Sequence, residues 1–208
     1  MSHDTPTRSG PGFHRREFLK GSGAAVAATA LATAGEEAQA QDAPKKVAAA
    51  APQKIKLNVN GQDKEITVEP RVTLMDALRN DLNLTACKDV CDRAVCGACT
   101  VHIDGKPVYS CSRLAIECVG KKIVTAESLV TTAKTDPVID AFVKHDGMQC
   151  GFCTPGFVMA VRGFCNSNPG ASVDDCRKGL GGNICRCGTY DSVIKAAYEV
   201  AQAQKGGA

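Results

Sequence analysis

The stretch from Cys91 to Cys111, CDRAVCGACTVHIDGKPVYSC, holds a tight run of cysteines and then, without a break, a short apolar alternation around a turn. Val101 and Ile103 precede the Asp104-Gly105 dipeptide and Val108 follows it, the pattern of a β-hairpin closed by a two-residue turn. The same alternation occurs upstream in Ile55, Leu57 and Val59, then an Asn60-Gly61 turn, then Ile66 and Val68, which predicts a first hairpin there. After Pro70, the segment TLMDALRNDL sets Leu74, Ala77 and Leu78 at helical spacing behind a Thr73/Asp76 capping pair. Lys122 to Thr125 reads as a closing strand. Strands curled around one helix give a small α+β domain of about 70 residues, a size at which the apolar core alone holds a fold together poorly.

Past Ser128 the alternation stops and helical spacing takes over. Asp136-Pro137 opens a helix with Ile139, Phe142 and Val143 on its inner side, and Pro155 opens a second through Val158 and Val161. SVDD, Ser172 to Asp175, caps a third. Asp191 or Ser192 starts the last, with Ile194, Ala197, Tyr198 and Ala201 as its buried stripe. Four short helices predict a bundle, with cysteines at helix ends and in the loops between them.

The N-terminus speaks to compartment. HRREFLK, His14 to Lys20, is followed by a weakly apolar stretch from Gly21 to Gly35, shorter than the roughly 20 apolar residues that span a bilayer. AQA, Ala38 to Ala40, supplies the small residues of a cleavage site. The segment resembles a twin-arginine export signal, which implies a signal peptide over 1–40, a mature start near Gln41 in the periplasm, and cargo that crosses folded with cofactors in place. An Ala/Pro/Gln-rich stretch over 41–53 reads as a flexible linker. The chain carries a net charge of +3, and because residues 1–40 hold four basic and four acidic side chains the mature part keeps it. No basic block points to nucleic acid, and no membrane span is expected in the mature protein.

Twelve cysteines stand against an aromatic content of only 4% and no tryptophan, so thiols are the natural candidates for holding the fold. Cysteines of exported chains usually pair as disulfides, but the folded-export route also lets metal-bound thiolates survive outside the cytoplasm. Cys91, Cys96, Cys99 and Cys111 have gaps of four, two and eleven residues, the plant-type 2Fe-2S spacing in which three ligands come from one loop and the fourth from a neighbouring strand. Gly97 and Ala98 leave room for the backbone to approach sulfur. Zinc and disulfides are the alternatives, though zinc sites more usually show two short pairs. Cys150, Cys153, Cys185 and Cys187 have gaps of two, thirty-one and one, which by spacing alone suits zinc as well. Cys87 competes with Cys91, but only Cys91 gives the four-residue gap. Cys118 reads as a small apolar residue, and Cys165 and Cys176 as either a disulfide across a helical hairpin or buried thiols.

QCGFCTPG, Gln149 to Gly156, and GNICRCGTY, Gly182 to Tyr190, following CGACTV at Cys96 to Val101, are similar to the iron–sulfur subunit of the molybdenum hydroxylases. That family takes in aldehyde oxidoreductases, xanthine dehydrogenases and carbon monoxide dehydrogenases, and the likeness runs from about Lys54 to Gln204. It implies an α+β chain with a ferredoxin-like β-grasp domain over 54–127, holding one 2Fe-2S cluster on Cys91, Cys96, Cys99 and Cys111. It implies a four-helix domain over 128–208 holding a second on Cys150, Cys153, Cys185 and Cys187. Gln149 and Cys187 match positions that contact the pterin of a large molybdopterin-binding subunit. The implied role is electron transfer from that partner to an FAD subunit, or to a haem protein such as a cytochrome, with an aldehyde or N-heterocycle as the partner's substrate. No side chain of this chain is a candidate acid, base or nucleophile for that substrate. A free-standing exported ferredoxin is the alternative, but it needs only the first half. Two departures stand out: Val90 and Ala94 occupy positions where the family usually has glycine, so a differently shaped first loop is expected. Lys88, Arg93 and Arg186 would favour a reduced, more negative cluster unless they merely face solvent.

Overall fold

The structure, a computed structural model, describes residues 50–130 and 135–205; the export signal and the linker up to residue 49 lie outside the described residues. Two hairpins supply four of the five strands. β1 (Gln53–Val59) and β2 (Gln62–Val68) pair antiparallel through the Asn60-Gly61 turn, where both residues take positive φ. β3 (Thr100–Ile103) and β4 (Lys106–Tyr109) do the same through Asp104 and Gly105. β5 (Lys122–Val124) then inserts between the hairpins, parallel to β1 and antiparallel to β3, giving the order β2-β1-β5-β3-β4. Local pattern shows that Lys122 to Val124 is a strand; its central place follows from tertiary packing, which buries Ile123 completely. The β2 edge carries the exposed run Gln62 to Glu65, polar chemistry that discourages further strand pairing.

One face of the sheet is covered by α1 (Leu74–Asp76), where Thr73 Oγ1 accepts from the Asp76 N–H at 3.1 Å and donates to the Asp76 carboxylate at 2.7 Å. The expected regular helix does not continue. Ala77–Asp81 widens into a π turn closed by the Leu82 N–H on the Ala77 carbonyl, and this wider turn keeps Leu74, Met75, Ala77 and Leu78 all buried in the first core.

Four helices follow: α2 (Pro137–Lys144), α3 (Thr154–Ser167), α4 (Val173–Gly179) and α5 (Tyr190–Lys205). Asp136 caps α2 by accepting from the Val138 N–H and also pairs with Arg162 of α3 at 3.3 Å. Ser172 and Asp175 form a full capping box on α4. α5 is the hub, packed against α2, α3 and α4. Its buried stripe is Val193, Ala196, Ala197, Val200 and Ala201; Ala197 and Ala201 lie inward as expected, whereas Ile194 is half-buried and Tyr198 is 39% exposed. α2 is likewise turned in part: Phe142 lies inward as expected beside Val138 and Ala141, while Ile139 is half-buried and Val143 is 73% exposed. The reason is the same in both. Small alanines let three helices approach α5 closely, so shape complementarity outweighs side-chain size in choosing the inner face.

The two halves do not stand apart. α3 lies against β3 and β4, and is buried almost all round from Gly156 to Val161. His102 of β3 reaches the Met159 carbonyl at 2.8 Å; a carbonyl only accepts, so the imidazole carries its proton on Nε2. Two helix glycines seven residues apart make this contact possible. A Cβ on Gly163 would meet Pro107 and His102 at about 3 Å, and one on Gly156 would lie 2.5 Å from the Gly97 carbonyl oxygen and 2.9 Å from Ala98 Cα. Glycine inside a helix costs about 1 kcal/mol relative to alanine, so these positions favour close approach over helix propensity. Gly156→Ala should therefore destabilise the chain by about 1 to 3 kcal/mol despite its better helix propensity, read as a lower denaturation midpoint. An unchanged or raised midpoint would show that the halves are not in tight contact there.

Candidate metal centres

The loop after α1 carries Cys87, Cys91, Cys96 and Cys99 and turns back on itself through Asp92 (φ 47°), Ala94 (φ 55°) and Gly97 (φ 71°). The left-handed turn at Ala94 aims its N–H at Cys111 Sγ, 3.3 Å away. Cys111 comes from the short turn that follows β4, and the loop end is latched to this turn by the Ser110 hydroxyl and N–H, both donating to the Cys99 carbonyl. Backbone N–H groups of Arg93 and Val95 point at the Cys91 sulfur and hold its pKa down to about 6, whereas burial pushes Cys111 up to about 12. Val90 needs no glycine: it keeps a negative φ and stands 54% exposed. Ala94 does adopt the conformation that glycine would take at no steric cost. Cys87 is turned away, its thiol donating to the Leu84 carbonyl at 3.6 Å and pushed up to about 11 by burial.

The second quartet is assembled by helix ends. Cys150 lies in the loop before α3, Cys153 is the N-cap residue of α3, and Cys185 and Cys187 precede α5. The Cys185 N–H donates to the Tyr190 hydroxyl at 2.8 Å, and the Thr189 hydroxyl donates to Cys185 Sγ at 3.2 Å. Burial alone would push the Cys185 thiol up, but the hydroxyl and N–H of Thr189, with the Cys153 thiol and the Cys187 N–H, outweigh it and hold the group at about 7. Burial pushes Cys153 up to about 12. Cys150, Cys187 and Gln149 are all exposed, forming an open edge, while Cys185 is buried. Cys165 and Cys176 stand as buried free thiols, Cys165 donating to the Ala197 carbonyl at 3.4 Å, and Cys118 is buried in the first core.

Within each quartet the sulfurs meet in pairs: Cys91 with Cys96, Cys99 with Cys111, Cys153 with Cys185, and Cys150 with Cys187. Among the described residues no three cysteines, histidines or carboxylates gather about one point, as a tetrahedral zinc site demands. Four thiols arranged two and two suit a group with two irons, each taking two thiolates, so the donor set fits a 2Fe-2S cluster in both places.

The quartets are joined. The Ile184 N–H donates to the Cys96 carbonyl at 2.9 Å, and the buried Asn183 amide donates to the Gly97 carbonyl at 2.9 Å. The Tyr109 hydroxyl reaches the Gly182 carbonyl at 2.9 Å, and Lys88 lies over the Phe152 ring at 5.8 Å. Spacing located the cysteines but not these supporting groups. The signal for Asn183 and Thr189 was their place within GNICRCGTY, two residues before and four after Cys185.

Residues 57–123 match the 2Fe-2S iron–sulfur cluster binding domain family and residues 125–198 the 2Fe-2S binding domain family, while 12–32 match the twin-arginine translocation signal. The chain is 41% identical over 145 residues to the nicotine 6-hydroxylase small subunit of Paenarthrobacter nicotinovorans, covering 70% of this chain and 87% of that one. It is 35% identical over 202 residues to the aldehyde oxidoreductase iron–sulfur-binding subunit of Escherichia coli, covering 90% and 87%. The crystal structure of quinoline 2-oxidoreductase from Pseudomonas putida matches with a TM-score of 0.71 and 40% identity, over 75% of this chain and 98% of that one. The protein is thus an electron-transfer iron–sulfur subunit of an oxidoreductase complex. It belongs to the family of small iron–sulfur subunits of the molybdenum hydroxylases, with the aldehyde oxidoreductases and xanthine dehydrogenases. Its N-terminus carries a twin-arginine signal, the address for export to the periplasm, and among the described residues no helix is long and apolar enough to cross a membrane.

Replacing Ala94 by glycine removes the left-handed strain of an L side chain at φ 55° while leaving the N–H on Cys111. Ala94→Gly should stabilise the loop by about 1 kcal/mol, raising the temperature at which the visible iron–sulfur absorption is lost by roughly 2 to 4 °C. A fall in that temperature would show that the alanine methyl contributes packing that outweighs the strain.

Proposed function

We propose that this chain carries electrons inside a periplasmic molybdenum hydroxylase, from a molybdopterin site on a large partner subunit to an FAD subunit or a cytochrome, with an aldehyde or N-heterocycle as substrate. The ferredoxin-like half, 54–127, would hold one 2Fe-2S cluster on Cys91, Cys96, Cys99 and Cys111. The helical half, 128–208, read as a four-helix bundle, would hold the other on Cys150, Cys153, Cys185 and Cys187. Each cluster, when bound, supplies one-electron redox chemistry that protein side chains lack. The chain's own residues do the rest. Backbone N–H groups of the first loop and the Thr189 hydroxyl of the second favour thiolate sulfur and so prepare each quartet to take iron.

The observation that carries this reading is the junction between the quartets. From Cys185 the backbone runs one residue to the Ile184 N–H, crosses a single 2.9 Å hydrogen bond to the Cys96 carbonyl, and reaches a sulfur of the other quartet through Cys96 itself. A free-standing ferredoxin has no use for such a junction. The open edge of the second quartet, where Gln149, Cys150 and Cys187 are exposed, is the surface we assign to the pterin-bearing partner. Val90 and Val95, 54% and 58% exposed around Cys91, lie on the other loop, which we assign to the acceptor.

The test is metal analysis with EPR of the complex purified from the periplasm. Wild-type should hold about four irons per chain and show two distinct 2Fe-2S signals after reduction. Cys91→Ser should remove one signal and Cys185→Ser the other. A single signal would support the ferredoxin, and zinc in place of iron would overturn the reading.

A further inference from the structure

Both quartets receive backbone N–H donors, but the second also receives a side-chain hydroxyl. Thr189 is only 5% exposed, and its Oγ1 donates to Cys185 Sγ at 3.2 Å. The fold fixes this contact from three directions. The Tyr190 hydroxyl accepts the Cys185 N–H at 2.8 Å, and the Tyr190 ring packs edge-on against buried Phe157 with centroids 6.1 Å apart. The Thr189 carbonyl accepts the Val193 N–H at 3.0 Å, which places Thr189 at the head of α5. Cys185 is itself anchored to the first loop through its neighbour Ile184. The hydroxyl therefore cannot turn away to water, and a threonine that would ordinarily cap its own helix points its proton at sulfur.

We propose that Thr189 sets the reduction potential of the second cluster by donating a buried hydroxyl hydrogen bond to the Cys185 thiolate. Reduction adds one electron, and part of the added charge falls on the cysteine sulfurs, so a donor aimed at sulfur stabilises the reduced form more than the oxidised form. The effect is strengthened by burial, because bulk water does not compete for the sulfur. Thr189 touches only a ligand, so it is a positioning residue. The inference rests on Cys150, Cys153, Cys185 and Cys187 holding that cluster.

The experiment is a redox titration of the intact complex followed by EPR, with each cluster monitored through its own signal. Thr189→Val keeps the shape and removes the donor. It should shift the reduction equilibrium of the second cluster about tenfold toward the oxidised form, a lowering of about 59 mV, and leave the first cluster at its wild-type potential. Thr189→Ser should restore the wild-type potential to within about twofold in the same equilibrium, or about 18 mV. An unchanged potential in Thr189→Val, or equal shifts in both clusters, would overturn the proposal. Loss of the second signal in both Thr189→Val and Thr189→Ala, with retention in Thr189→Ser, would place the hydroxyl in cluster assembly and would overturn it too. The parent reading fails separately: it falls if wild-type lacks the second signal or if Cys185→Ser retains it.

Discussion

Among the described residues, the backbone-to-backbone contact on which the other features rest is the place where helix α3 meets the first cysteine loop. Gly156 presses against the Gly97 carbonyl and Ala98, and no side chain fits between them. A Cβ on Gly97 would in turn fall about 2.6 Å from the Asn183 amide, so a helix, a loop and a second loop close on one point. Close-packed backbones have few ways to relax, so this contact holds the two cysteine-bearing loops in a fixed relation. The hydrogen bonds from Asn183 and Ile184 could not form if the backbones stood even a methyl group further apart.

From this contact follows the division of labour around sulfur. The first quartet is built by one irregular loop and the short turn after β4, and it solves the problem of aiming N–H groups with positive-φ backbone, at Ala94 against the cost of an L side chain. The second is built by the starts of two helices, where unsatisfied N–H groups are already present, and Thr189 adds a hydroxyl. In both quartets burial works against thiolate, and where local donors are placed, at Cys91 and Cys185, they reverse it. At Cys111 and Cys153 burial prevails and pushes the thiol up to about 12.

The first core is built on aliphatic side chains such as Leu57, Leu74, Leu78 and Ile123, whereas the helical core is rich in small ones. Phe157, 1% exposed, contributes roughly 2 to 3 kcal/mol of apolar burial, but α5 is lined by alanines whose value lies in letting α2, α3 and α4 come close. The packing of α3 against β3 and β4 then joins the helical core to the first one. The His102 contact to Met159 fastens that seam from the helix side, and the partly buried Arg162–Asp136 pair holds α3 to the start of α2.

Local chemistry was readable from the chain itself. Asn60-Gly61 and Asp104-Gly105 announced their hairpins because only a few residue types tolerate φ above zero, and Asp136 and Ser172 announced helix starts because an unpaired N–H needs a side-chain oxygen. Cysteine spacing singled out eight thiols and proposed two sets of four, because a short loop such as Cys91 to Cys99 leaves its sulfurs little freedom in where they meet. Three features were decided by tertiary structure: the central place of β5, the turn of α2 and α5 that leaves Val143 and Tyr198 exposed, and the seam where Asn183, Ile184 and Gly156 bring the two loops together. They depend on which surfaces fit together across more than 50 residues of chain in the α3-to-loop contact, and shape complementarity of that kind leaves no periodic mark on either partner's sequence.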